Sequence, residues 1–225
     1  MFSLIKLIRN GDTIGALMFI LSGCFVVFVC SPVHELAHAW AAYKLGDDTA
    51  KRDGRLTFNP LKHIDPIGML MILVFGFGYA KPVPVNFGRL HNPKRDGALV
   101  ALAGPTSNIV MSFILGFGYV ALQKLFMTTQ AQAVEIISVF FFYGAYINIA
   151  LAVFNLLPIP PLDGSKILAG ILPDKVYWKY MQYERYAMIL VLVLLFTNIL
   201  DVPLIFLENL LMNLVLFVPK LIFGM

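Results

Sequence analysis

An apolar run from about Ile14 to Leu45 carries His34-Glu35-Leu36-Ala37-His38 near its C-terminal end. No other feature constrains the fold as strongly. The run exceeds the roughly 20 residues that cross a bilayer, so the helix it predicts is tilted, kinked or partly outside the hydrocarbon. Pro32 is the natural kink, because it lacks a backbone N–H just before His34. On a helix the two histidines lie about 40° apart around the axis, one turn apart on one face. Imidazoles at that spacing can share one metal ion, with Glu35 beside them as a base. An intramembrane carboxylate is costly to keep, which favours use in metal-assisted chemistry over a helix with incidental histidines.

The chain as a whole supports a membrane setting. Of its 225 residues 59% are hydrophobic and only 13% are charged, with a mean hydropathy of +0.80. Soluble domains carry about 25% charged residues, so the expected class is an all-α polytopic membrane protein. Further apolar segments run from about Leu99 to Leu122, Val134 to Leu157, Tyr186 to Leu200 and Pro203 to Phe223. They predict five or six transmembrane helices. Between the first span and the Leu99 run lie a polar stretch, Gly46 to Pro66, and a short glycine-dotted run, Ile67 to Tyr79. Arg55–Phe58 and Val83–Phe87 are expected as short strands flanking a re-entrant dip. Lys81-Pro82-Val83-Pro84-Val85 reads as a rigid loop rather than an edge strand that receives an extended peptide. Without repeats or low-complexity tracts, residues 1–225 read as one membrane-embedded domain.

The net charge of +4 does not indicate a nucleic-acid partner, because the basic residues sit in loops between apolar runs. Fourteen of the 17 Lys and Arg fall within residues 44–98, within residues 158–187 or near the C-terminus, leaving Lys6, Arg9 and Lys124 for the opposite face. That bias assigns both large loops to the cytoplasm. The first span and the Val134–Leu157 span then run in the same direction, and their ends meet at one membrane face. Lys6 and Arg9 precede an apolar run without a convincing cleavage site, so the run reads as an uncleaved span. Cys24 and Cys30 are about 9 Å apart along one helix and on different faces, which predicts buried free thiols.

A second constellation is Asn155-Leu156-Leu157-Pro158-Ile159-Pro160-Pro161-Leu162-Asp163-Gly164. Its prolines end the span in extended chain. Asp163 then offers a hard oxygen ligand, with Gly164 permitting the turn that aims it. The residues alone equally allow a span terminator with a capping aspartate. His63 and Asp65 compete as a third ligand but fit better as a loop histidine and a turn aspartate before Pro66. His91 reads as solvated, Asn108 and Asn148 as interhelical amides, and Phe140–Tyr143 as packing or lipid-facing residues.

Together the His34–His38 and Asn155–Gly164 motifs resemble those of the site-2 protease family of intramembrane zinc metalloproteases. Gly54-Arg55-Leu56-Thr57-Phe58-Asn59-Pro60, His63-Ile64-Asp65-Pro66 and Ala103-Gly104-Pro105-Thr106-Ser107-Asn108 are similar to segments of its compact prokaryotic members. Nothing between the spans is long enough for a PDZ domain. The resemblance implies one Zn2+ per chain held by His34, His38 and Asp163, with Glu35 activating water and Asn155 contacting substrate or oxyanion. It also implies a transmembrane protein as substrate, a lipid bilayer as surroundings and a prokaryotic plasma membrane as location, with the active site near the cytoplasmic face. Oligomeric state is not indicated. Two rivals remain: a metal transporter, which would want ligands spread along a path, and a non-catalytic relative that binds membrane helices, which would have lost Glu35 or a ligand.

Overall fold

A computed structural model describes residues 4–63, 81–173 and 199–225, together with residues 176, 194 and 197. Among them the chain is helical, with no strand. The α-helices among the described residues are α1 (Leu4–Arg9), α2 (Thr13–Phe25), α3 (Ser31–Lys44), α4 (Thr49–Arg52), α5 (Pro93–Thr129), α6 (Gln132–Asn155), α7 (Asp163–Ile171) and α8 (Asp201–Phe223). Among the described residues four stretches are long and apolar enough to cross a membrane: Thr13–Lys44, Pro93–Thr129, Gln132–Asn155 and Asp201–Phe223. The protein is an integral membrane protein. The re-entrant dip expected at Ile67–Tyr79 and most of the Tyr186–Leu200 run lie outside the described residues.

The first span begins at Asp12, whose carboxylate accepts from the Gly15 N–H at 2.8 Å and satisfies one of the free donors of the helix start. Between α2 and α3 the helix passes through one π turn, Val26–Cys30. An α-helical ladder there would drive the Pro32 ring into the Phe28 carbonyl, and the wider turn just upstream relieves that clash. The irregularity that Pro32 demands is therefore placed one turn before the histidines. Neither cysteine is in a disulfide, as expected, but only Cys30 is buried and Cys24 is exposed.

Neither Arg55–Phe58 nor Val83–Phe87 forms a strand. Pro82 and Pro84 remove alternate N–H donors, so a ladder has no way to continue. The alternation of valine and proline imitates a strand's period of two without its hydrogen-bonding capacity. The loop reading of Lys81–Val85 is the one the backbone adopts.

The chain divides into two compact units. One comprises Met1–Val27, Asn108–Val153 and Thr197–Met225. Its core is Leu115 and Val120 of α5, Ala145, Ile149 and Val153 of α6, and Met212, Val215 and Leu216 of α8. Phe140, Phe141 and Phe142 are half-buried packing residues, and Phe140 meets the edge of the Phe25 ring. Gly118 admits the Phe141 ring, because a Cβ there would fall 2.6 Å from Phe141 Cδ1. Leu214, Phe217 and Leu221 of α8 are exposed, as expected for side chains that face lipid.

The other unit comprises Phe28–Ser107 and Phe154–Phe196. Here α7 packs on the start of α5: a Cβ on Gly170 would lie 2.6 Å from Ala98 Cβ, and Lys94 Nζ donates to the Leu172 carbonyl at 2.5 Å. Asp47, fully buried, ties the end of α3 to distant chain by accepting from Thr49 N, Thr49 Oγ1 and Asn86 N at 3.0, 2.5 and 2.6 Å. This unit contains every residue expected to bind metal.

Candidate metal centre

His34 and His38 lie on α3, and both are buried at 8% exposure. Their Nε2 atoms are 3.0 Å apart. Asp163, the first residue of α7, brings Oδ2 to 3.3 Å from His34 Nε2 and 3.2 Å from His38 Nε2. Among the described residues these are the side chains grouped closely enough to hold a metal ion. The three donors make a nearly equilateral triangle. A tetrahedral ion with bonds of about 2.0–2.1 Å has donor–donor edges of about 3.3 Å, so the triangle matches three corners of a zinc site. Two imidazole nitrogens and a carboxylate are also the donor types zinc takes. The residues fit the ion.

The surroundings prepare these donors. His38 Nδ1–H donates to the Val100 carbonyl at 2.7 Å, which fixes the tautomer that leaves the Nε2 lone pair free. Val100 and Gly104 are one turn apart on the same face of α5. A side chain at 104 would lie over that preceding turn, and glycine leaves it open for His38. A Cβ on Gly104 would also reach within 2.6 Å of His34 Cε1. Its smallness is a requirement of the centre itself.

Asp163 does not cap α7. The N-cap is Leu162, with no side-chain cap bond, and the carboxylate turns to the histidines instead. Burial alone would raise its pKa, but the two imidazoles outweigh that and hold the carboxyl well below the usual carboxylate range. Its other oxygen, Oδ1, faces Lys166 Nζ at 4.0 Å. Gly164 serves a different purpose from the turn expected of it. A Cβ there would overlap the Leu156 and Leu157 carbonyl oxygens, so glycine lets α7 tuck beneath the chain that leaves α6. The Pro160–Pro161 peptide in that chain is cis.

Glu35 is half-buried beside the ligands, and its Oε2 accepts from the Val83 N–H at 3.2 Å. Asn155 is the last residue of α6, half-buried, eight positions before Asp163. His63 is no ligand in this arrangement: its Nε2–H donates to the Thr57 carbonyl at 2.8 Å, and its own carbonyl accepts from Lys81 N at 2.8 Å. Asp65 lies outside the described residues.

The model for "Peptidase family M50" matches residues 22–198. The chain belongs to that family. Metalloprotease relatives accompany the match. YwhC of Bacillus subtilis is 46% identical over 171 residues, covering 76% of this chain and 78% of its own. Rip2 of Mycolicibacterium smegmatis is 29% identical over 198 residues, covering 86% and 73%. A protein of the archaeon Methanocaldococcus jannaschii is 33% identical over 135 residues, covering 60% and 62%. All three have "zinc metalloprotease" in their names. No solved structure matches at a significant level. The metallopeptidase expected from the two motifs is thereby borne out, and zinc, the expected cofactor, agrees with both the donor set and the relatives.

Sequence reasoning missed the Val100 carbonyl, the Val83 N–H and the buried Arg55. The first two are backbone groups and carry no side-chain signature. Arg55 had one: an arginine in a turn-rich loop between membrane segments, where arginines usually stay solvated.

Proposed function

We propose that this family M50 peptidase is a zinc-dependent endopeptidase, acting as one membrane-embedded domain. It hydrolyses a peptide bond within or next to a transmembrane segment of a membrane-protein substrate. The observation that carries the reading is the convergence of His34, His38 and Asp163 on one point with Glu35 adjacent to it. His34, His38 and Asp163 are the residues that would hold the ion. Bound zinc supplies a Lewis acid that brings the pKa of water to about 7 and polarises the scissile carbonyl.

The chain's own groups do the rest. Glu35, within the ligand helix, takes a proton from the attacking water and returns it to the leaving amine. The Asn155 side-chain amide donates to the oxyanion that develops on the substrate carbonyl. A substrate helix hides its carbonyls in hydrogen bonds four residues apart, so it unwinds before attack. The excess of Lys and Arg in residues 44–98 and 158–187 supports a site near the cytoplasmic face of a prokaryotic plasma membrane.

The test is cleavage of a labelled single-span peptide in zinc-loaded proteoliposomes. The expected product ends map within or beside the span, and a zinc chelator abolishes them. Zinc uptake into the vesicles without cleavage would instead identify a transporter.

A further inference from the structure

The segment 81–86 crosses the unit without secondary structure, yet it is tied at four points. Lys81 N donates to the His63 carbonyl at 2.8 Å. The Arg55 guanidinium donates to the Lys81 carbonyl, and to the Pro82 carbonyl at 3.2 Å. Val83 N donates to Glu35 Oε2, and Asn86 N donates to Asp47 Oδ2. Pro82 and Pro84 have no N–H, so Val83 carries the one backbone donor between Lys81 and Val85. That donor is engaged by the carboxylate read above as the base.

Arg55 is the least expected member of this set. It is buried at 5% exposure, and among the described residues it makes no ion pair. A buried cation whose Nη2 donates to two consecutive carbonyls is a clamp on backbone. Its own N–H bonds to the Ala50 carbonyl at 2.8 Å, which roots the clamp at α4. We propose that Arg55 is a positioning residue: by holding the Lys81 and Pro82 carbonyls it sets the Val83 N–H against Glu35 and so aims the carboxylate.

The inference rests on Glu35 being the base. The Val83 N–H held against Oε2 sets the rotation of the carboxylate, and with it the direction of Oε1, from a segment that α3 does not contain. Without the clamp, the 82–84 stretch has no ladder of its own to hold it. A misplacement of about 1 Å at a reacting group costs about 10²-fold in rate, so a clamp of this kind has a measurable effect.

The experiment uses full-length, zinc-loaded protein in detergent and acetohydroxamic acid as the probe, a metal-binding acid that gives its proton to a neighbouring carboxylate. Dissociation constants and zinc per chain are measured for wild type, Glu35→Gln, Arg55→Gln, Arg55→Lys, Val83→Pro, Val83→Ala and the double variant Arg55→Gln/Glu35→Gln. Glu35→Gln, Arg55→Gln and Val83→Pro are each expected to weaken binding about tenfold with zinc retained, as loss of a supporting contact does. Val83→Ala keeps the N–H and binds more tightly than Val83→Pro, while Arg55→Lys recovers part of the loss. The double variant binds no more weakly than Glu35→Gln alone, because both changes act through one carboxylate.

Wild-type affinity in Arg55→Gln at full zinc overturns the clamp. So does a double-variant loss equal to the product of the single losses. Zinc loss in Arg55→Gln that Arg55→Lys does not restore makes the residue a structural support and also overturns it. If Glu35→Gln itself binds as wild type, it is the base reading that has failed, and the two failures are told apart.

Discussion

Gly104 stands against His34 with no room for a methyl group: a Cβ placed on it would come within 2.6 Å of His34 Cε1. The same position uncovers the Val100 carbonyl to which His38 donates. Gly104→Ala is therefore expected to displace both ligand rings. Zinc affinity should fall about 10–100-fold, the range seen when the groups supporting metal ligands are disturbed. Competition with a chromogenic chelator measures it, and unchanged affinity would show that the rings yield freely.

Glu35 and the ligands should separate cleanly in two assays. Glu35→Gln keeps the shape of the side chain and all three donors, so it should retain one zinc per chain while peptide hydrolysis drops about 10²–10⁴-fold. His34→Ala, His38→Ala and Asp163→Ala should lose both metal and hydrolysis. Zinc analysis beside cleavage of the single-span peptide distinguishes the classes.

Gly164 tests how Asp163 is aimed. Its missing Cβ faces backbone oxygens of Leu156 and Leu157, which give way only if the chain moves. Gly164→Ala should destabilise the protein by about 1–3 kcal/mol, the usual range for overpacking. It should also lower zinc occupancy, because Asp163 is the neighbouring residue. Thermal unfolding in detergent and metal analysis on the same preparation check both effects.

In the unit without the metal ligands, Tyr146 O–H donates to Glu208 Oε2 at 2.5 Å, joining α6 to α8. Glu208 is buried at 5% exposure. Tyr146→Phe removes the donor and strands a buried acceptor, which should cost about 1–3 kcal/mol. Zinc content should be unaffected. An unfolding midpoint equal to wild type would mean that water or a neighbouring group takes over from the phenol.

Much of the site could be read from side chains alone. The His34–His38 spacing, its place in an apolar run and the proline-rich approach to Asp163 each have a chemical reason that does not require coordinates. Four long apolar runs became helices for the same reason: hydrocarbon admits no unsatisfied backbone. What escaped reading was mostly main chain. The Val100 carbonyl and the Val83 N–H leave no residue type behind as a marker, while Pro32 marks a kink without showing that it takes the form of a π turn at Val26–Cys30. The strand expected at Val83–Phe87 fails because Pro82 and Pro84 remove the donors that a ladder there would need, and Arg55–Phe58 is left without that ladder as a partner. Cys24 was expected inside and lies exposed, because a helix surrounded by lipid gives an apolar residue no reason to turn inward.

The third donor arrives on α7, long after the two on α3. His38 and Asp163 are about 125 residues apart, and closing a loop of that length costs only modestly more than closing a short one, about 0.6 kcal/mol per doubling. The chain can thus thread α4, the 81–86 segment and α5 between the first two ligands and the last at little entropic expense. Arg55, Val83, Val100 and Gly104 all lie inside that loop. Coordination therefore ties a knot around the residues that tune it, and a metal-free chain should be more open to proteolysis across this enclosed stretch than at its ends.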